Sequence, residues 1–322
     1  MSDRDRQSYR RLCQSGAGLP IFSQAWWLDA TCGPEGWDVA VVERQEEILA
    51  ALPYRQRRRM GFIVLDQPRL TQTLGPWLRP GTGKAVHNLG HEMDLLAQLV
   101  LALPSNDQYV QNWSHQRQNW LPFYWAGFTQ TTRYSYILRD LGNVDALWKG
   151  MRENIRRETR KAEQREGVAV DHNADLEVFL SLNDLTFARQ GRKPPYAREY
   201  VRQLDAACKA RNCRRILIAR DMQGRAHAGA YIVWDEQAAY YLMGGGDPEL
   251  RNSGATSLCL WEAIRFAAGV TRSFDFEGSM LQPVERFFRA FGAEQIPFFR
   301  VCKTNSLALR GLSAFRVLRG DA

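Results

Sequence analysis

Cysteine and histidine are scarce in this chain, at six and five of 322 residues. Only Cys208 and Cys213 lie near one another, and no second pair or histidine cluster accompanies them. That excludes the usual zinc ligand spacings and a disulfide framework, so the thiols read as reduced and no metal is expected. Long apolar runs are missing as well. No stretch reaches the roughly 20 residues that a membrane-spanning helix needs. The first residues, MSDRDRQSYRRLCQS, are polar throughout and lack the apolar core of a secretory signal. These absences point to a cytoplasmic chain without a membrane span and without a tightly bound cofactor.

The length is enough for two domains of ordinary size. Hydrophobic residues make up 45% and charged residues 24%, so a substantial core fits beneath an ordinary polar surface. Most of the ten Trp and fifteen Phe belong in that core. The charge balance is basic, 43 Lys and Arg against 35 Asp and Glu, for a net +8. Such a chain suits a polyanionic partner: coenzyme A, a nucleotide-linked sugar, tRNA or an anionic membrane surface. Charge alone does not choose among them, nor does it set the oligomeric state.

Hydrophobic periodicity suggests two units of one design. Helix, hairpin, strand, helix, strand occurs over 20–130 and again, larger, over 140–303. In the first, Asp38–Glu43 and Ile48–Tyr54 form a hairpin around the polar turn Gln45–Glu47. A helix over His91–Leu103 carries Met93, Leu96, Leu99, Val100 and Leu103 on one stripe. The cluster RQRRR at 55–59 reads as a solvated strand extension before it reads as a phosphate contact. In the second, one helix is expected over Val144–Glu166, its Arg and Lys face offset by Glu153, Glu158, Glu163 and Glu166. Arg214–Asp221, Ala226–Trp234 and Ala238–Met243 read as a three-stranded meander.

Chemistry concentrates in three stretches of the second unit. After the meander, a strand runs into a Gly-rich loop and then a helix from about Ala255. Gly244, Gly245, Gly246 and Gly254 let backbone N–H groups approach a phosphate, the helix adds its positive dipole end, and Arg251 adds a charge. An ordinary Gly-rich strand–helix connection has the same look. Next comes Arg272–Gly292, RSFDFEGSMLQPVERFFRAFG, with Ser273–Phe276 as a strand. Asp275 and Glu277 share one of its faces by the period-two rule. They sit at the strand's carboxyl end, where α/β proteins put their chemistry. A helix follows from about Pro283 and stops at Gly292. The carboxylates can instead cap that helix or pair with Arg286 and Arg289. Finally, the basic loop RQGRKPPY, 189–196, offers Arg189 and Arg192 to an anion.

FDFEGS followed by VERFFRAFGAEQIPFFRVCK resembles the closing segment of the FemAB-like acyltransferases, the branch of the GNAT superfamily with two acetyltransferase-like domains in one chain. Peptidoglycan-bridge members usually carry Phe-Lys before a final x-Phe-Gly. Here the pair is Phe287-Phe288, so Phe288 stands in the place of that Lys, and the match is closer to the less characterised GNAT-like members. RNSGAT, Arg251–Thr256, is similar to the GNAT pyrophosphate loop Gln/Arg-x-x-Gly-x-Gly/Ala and keeps Arg251, Gly254 and Ala255. RENIRRETRKAEQREG resembles the family's Arg/Lys-rich helix after the domain crossover. The resemblance is carried by Tyr134–Lys303. It implies an α/β fold of two stacked GNAT-like domains, mixed sheets flanked by helices. The first spans 1–132, with 304–322 packing back on it as a terminal helix, and the second 133–303.

Acyl transfer to an amine requires a held, activated carbonyl, a deprotonated amine and a stabilised oxyanion. Glu277 or Asp275 is the candidate base. Tyr240 or Tyr241 is the candidate acid for the leaving group, although strand alternation puts one of them in the core. The donor is expected on backbone N–H groups of Gly244, Gly245, Gly246, Gly254 and Ala255, with Arg251 and Arg189 meeting its phosphates. Arg189, Arg192, Ser279, Arg286 and Phe288 are assigned to substrate. The expected reaction moves an acyl or aminoacyl group to a primary amine, for example on a cell-wall or polysaccharide precursor. Acyl-CoA is slightly favoured over aminoacyl-tRNA as co-substrate. The alternative is a non-catalytic GNAT-fold binding protein of envelope or polysaccharide synthesis.

Overall fold

A computed structural model describes residues 3–81 and 83–311. In chain order the first elements are α1 (Asp3–Gln14), α2 (Ala25–Cys32), β1 (Trp37–Arg44), β2 (Glu47–Arg59), β3 (Phe62–Asp66), β4 (Trp77–Leu78), α3 (Ala85–Ala102), β5 (Gln108–Asn112), α4 (Leu121–Trp125) and β6 (Thr129–Leu138). Then come α5 (Val144–Gly150), α6 (Glu153–Arg160), a π-helical turn (Lys161–Arg165), β7 (Ala169–Asp171), α7 (Leu176–Arg189), α8 (Arg198–Ala210), β8 (Arg214–Arg220), β9 (Ala226–Trp234) and β10 (Ala238–Gly246). A 3-10 turn (Arg251–Ser253) leads to α9 (Ala255–Ala267), β11 (Ser273–Asp275), α10 (Gln282–Arg289) and β12 (Glu294–Thr304). The chain divides into two compact units. Among the described residues, one holds those up to Arg133 together with 297–311, and the other holds Tyr134–Ile296.

In the first unit the strand order is β1-β2-β3-β5-β12, with β4 on β2. β1 and β2 are antiparallel and turn through Gln45 and Glu46, both at positive φ (50° and 65°), which matches the right-handed twist of a tight hairpin. Alternation along β2 divides the core. Ala50, Leu52 and Tyr54 meet Leu95, Leu96 and Leu99 of α3, while Ala51 joins Tyr9 and Leu12 of α1. The cluster RQRRR continues β2. Arg55 and Arg57 both bind Asp66 of the neighbouring β3, at 2.7 and 2.8 Å, so those two are structural. β5 pairs parallel with β3 and antiparallel with β12, Val301 facing Gln111. The second unit was expected to keep 297–303, but this pairing draws them into the first. Of the helix expected over 304–322, Thr304 instead ends β12, 305–306 are not helical, 307–311 are helical, and 312–322 lie outside the described residues.

In the second unit the order is β6-β11-β10-β9-β8-β7. β8, β9 and β10 form the antiparallel meander, and α9 crosses over to bring β11 parallel to β10. Helices cover both faces. Ala228, Ala230 and Ile232 of β9 pack with Ala255, Leu258 and Cys259 of α9. Gly229, one register away, faces α7, where an added Cβ would come within 3.0 Å of Phe179. The single helix expected over Val144–Glu166 is instead α5, a break at Met151–Arg152, α6 and the π turn. Arg152 N donates to Ala290 O at 2.9 Å, and Met151 is buried, so tertiary contacts hold the chain out of helical geometry there.

Candidate active site

The site begins where two parallel strands part. β10 and β11 pair only through Ala238 with Ser273, Ala239 with Phe274 and Tyr240 with Asp275. β11 then stops, while β10 runs on beside β9 to Gly246. Part of the released edge is met by α7. Asn183 Nδ2 donates to Gly244 O at 2.7 Å, and Gly246 N donates to Thr186 Oγ1 at 2.9 Å. Gly244–Gly246, expected as a phosphate-binding loop, are therefore the end of a strand. Their lack of side chains serves close packing. A Cβ on Gly245 would lie 2.8 Å from Asn183 N, and one on Gly244 would lie 1.9 Å from the Tyr241 hydroxyl.

Asp275, the last residue of β11, is buried. Its Oδ1 accepts from the Ser135 hydroxyl and, at 2.7 Å, from Glu277 N. Burial lifts this carboxyl from 3.8 to about 6, and the two donors limit the rise. The strand does not extend to Glu277, so the two carboxylates do not share a strand face as expected. Glu277 is left-handed (φ 58°) and so is Gly278 (φ 62°). Gly278 is required there, because a Cβ would fall 2.0 Å from Tyr134 O. The turn leaves Glu277 half-buried with Oε1 out of contact with solvent. Burial, and then the charge of Asp275, raises its carboxyl well above the ordinary range. Neither Arg286 nor Arg289 pairs with these groups. Arg289 binds Glu285 at 2.7 Å, and Arg286 is exposed.

Three phenols belong to this neighbourhood. Tyr240, in register with Asp275, donates to Asp235 at 3.4 Å, and burial, then Asp235 and Asp275, hold its hydroxyl protonated well beyond the ordinary range. Tyr241 turns toward the core, its ring edge-on to Phe288 at 5.9 Å. Tyr196, from the basic loop, donates to Asn183 Oδ1 at 3.2 Å, and burial pushes it up to about 12. Ser135, Asn183 and Tyr196 were not singled out from the sequence. Tyr196 did leave a signal, as the aromatic residue of an otherwise basic, Pro-containing loop. Phe288, expected at the substrate, is 6% exposed and stacks near Phe276 at 5.2 Å, so it is core. Ser279 accepts from Leu281 N at 3.0 Å and shapes the turn. Arg189 and Arg192 are exposed at the end of α7 and in the following loop.

The loop at Arg251–Thr256 lies at the start of α9. Arg251 is exposed and makes no ion pair among the described residues. Gly254 is left-handed (φ 80°), and a Cβ on it would come 2.2 Å from Glu158 O. This glycine is thus needed for the approach of α6 rather than of a phosphate. Ala255 is buried in the first turn of α9. Lys161 donates to Asn252 O and ties the loop to a neighbouring groove. That groove encloses about 500 Å³ and is lined by Arg157, Glu158, Arg160, Lys161, Gln164 and Arg165. Several of these charges are paired, Lys161 with Glu158 at 3.6 Å and Arg160 with Glu153 at 3.5 Å, yet the lining stays predominantly basic. Among the described residues no helix is long and apolar enough to cross a membrane.

Residues 149–289 match the family model of the acetyltransferase (GNAT) domain. A search of curated protein sequences found no match. Among solved structures, FemX aligns with a TM-score of 0.67 and 13% identity, over 91% of this chain and 95% of that one. The C-terminal domain of a putative lysylphosphatidylglycerol synthetase from Agrobacterium fabrum aligns at 0.57 with 14% identity, over 97% of each chain. A tandem GNAT protein from the clavulanic acid biosynthesis pathway aligns at 0.53 with 14% identity, over 94% of each. At such identities the likeness is one of fold. The chain therefore has the fold of tandem GNAT proteins, and within its second unit residues 149–289 match the GNAT domain model.

Proposed function

We propose that this protein is an N-acyltransferase that passes an acyl group from a phosphate-bearing activated donor, acyl-CoA first, to a primary amine. The observation that carries this reading is the sequestered pair Asp275 and Glu277 at the point where β10 and β11 part within a GNAT domain. A carboxylate whose proton affinity is lifted toward neutrality can take a proton from an ammonium near pH 7, directly or through water. The deprotonated amine is then the nucleophile, so positioning does most of the work. Tyr240 stays protonated across the physiological range and can supply a proton to a leaving thiolate. The released edge of β10 offers the acyl carbonyl those backbone groups that α7 has not taken. Arg251 and the adjacent basic groove suit the donor's phosphates.

Aminoacyl-tRNA is the second reading. Arg157, Arg160, Lys161 and Arg165 line one open face, and a domain of a putative lysylphosphatidylglycerol synthetase shares the fold. Thermal melting with acetyl-CoA, longer acyl-CoAs and a charged tRNA pool, at low and moderate salt, separates the two. A ligand at a hundred times its Kd stabilises by about 2.7 kcal/mol. A shift with acyl-CoA that disappears in Arg251→Ala supports the first reading. A shift with tRNA alone, falling steeply with salt, supports the second. No shift with any donor overturns both. In the responding case, Glu277→Gln should keep the donor shift and lower transfer to an amine panel about a hundredfold or more.

A further inference from the structure

Away from the carboxylate pair, three buried side chains form a line: Asp221, His227 and Ser253, each under a tenth exposed. His227 Nε2 lies 3.1 Å from Asp221 Oδ2, and Nδ1 lies 2.9 Å from Ser253 Oγ. Burial opposes the charge on Asp221, but hydrogen bonds from His227 and Arg225 hold it ionised, well below the ordinary carboxylate range. An ionised carboxylate only accepts, so His227 Nε2 carries the proton. In the neutral ring Nδ1 is then an acceptor, and Ser253 Oγ–H donates to it. The Ser253 oxygen keeps its lone pairs and accepts from Ala255 N, at the first residue of α9, at 3.3 Å.

The far end of the line is well fixed. Asp221 accepts from Gln223 N and Arg225 N at 3.0 and 2.9 Å in the β8–β9 turn, and His227 O accepts from Asp247 N at 3.0 Å. Ser253 itself lies between Arg251 and Gly254. The bonds therefore run from a tight turn, through the sheet, to the loop that precedes α9.

We propose, resting on the donor reading above, that Asp221, His227 and Ser253 are positioning residues for the donor. His227 orients the Ser253 hydroxyl, and that hydroxyl fixes residues 251–256 so that Arg251 and the first turn of α9 face the donor's phosphates. None of the three touches the reacting atoms. Ser253→Ala removes the hydroxyl. His227→Gln keeps an N–H for Asp221 but withdraws the acceptor from Ser253.

Hydrogen–deuterium exchange on the ligand-free protein tests the loop directly. Amides 252–256 should exchange at least about tenfold faster in both variants than in the native chain, while β9 stays protected, and Ser253→Thr should restore the native rate. Unchanged exchange at 252–256 in both variants, with only a lowered Tm, overturns the proposal and makes the three residues ordinary core. With acetyl-CoA as the probe, both variants should raise Kd or KM about tenfold and leave kcat within about twofold. A fall in kcat at unchanged KM also overturns it. Native protein that binds neither acetyl-CoA nor charged tRNA overturns the donor reading and the ligand role with it. The exchange result then still decides whether the relay holds the loop.

Discussion

At Glu277 and Gly278 two consecutive residues hold left-handed backbone. A side chain in that region costs on the order of 1 kcal/mol, and Gly278 faces Tyr134 O as well. Gly278→Ala should therefore lower stability by about 3 kcal/mol or more, read from urea melts, whereas Glu277→Gly should be neutral or stabilising. Asp275 gives a pH signature. Its carboxyl sits near 3.8 when unfolded and about 6 when folded, so between these values the folded chain binds more protons. Stability then falls as pH rises through that window, by about 3 kcal/mol in total. Asp275→Asn should be the more stable protein at pH 7.5, by up to that amount less what the weaker acceptor loses, and the gain should vanish by pH 4. Chemical denaturation at the two pH values checks it. The two carboxylates stand out in the sequence as an acidic pair beside a Gly-Ser turn, but the strand they were expected to share ends at Asp275. Ser135 does not stand out, since it meets Asp275 from 140 residues away. Tyr196, in the loop, gains its meaning through Asn183 of α7.

Among the elements, β10 and α10 show how one residue type can be read two ways. A glycine triplet after a strand suggests a phosphate loop, but α7 lies so close to β10 that Gly245 has room for no Cβ beside Asn183 N. Gly245→Ala should cost about 1–3 kcal/mol through overpacking, with a melting shift as the readout. On α10, Phe288 packs against Phe276, Phe287 and Tyr241. Phe288→Ala should cost about 3–5 kcal/mol. Phe288→Lys should destabilise too, because it buries an ammonium among aromatic rings, and should confer no new transfer activity. The meander and the first hairpin were legible because period-two burial and short turns are local. The interruption at Met151–Arg152 was not, because Ala290 O imposes it from a distant helix.

For the whole molecule, described residues 297–311 belong to the same unit as those up to Arg133. Val301 is fully buried there, and β12 gives β5 its second neighbour. A chain ending at Ile296 should leave β5 as a bare edge. Limited proteolysis should then cut the region before Arg133 quickly and leave Tyr134–Ile296 protected. Sequence placed the return about seven residues late because a strand's pattern gives its faces and not its partner. The return also sets an order of events during synthesis. The ribosome delivers the N-terminal unit first, yet that unit lacks a strand until β12 has left the exit tunnel. Tyr134–Ile296 is contiguous and can close as soon as it emerges. The half made first thus closes after the half made second, and until β12 emerges its unpaired edge is presented to chaperones and to neighbouring nascent chains.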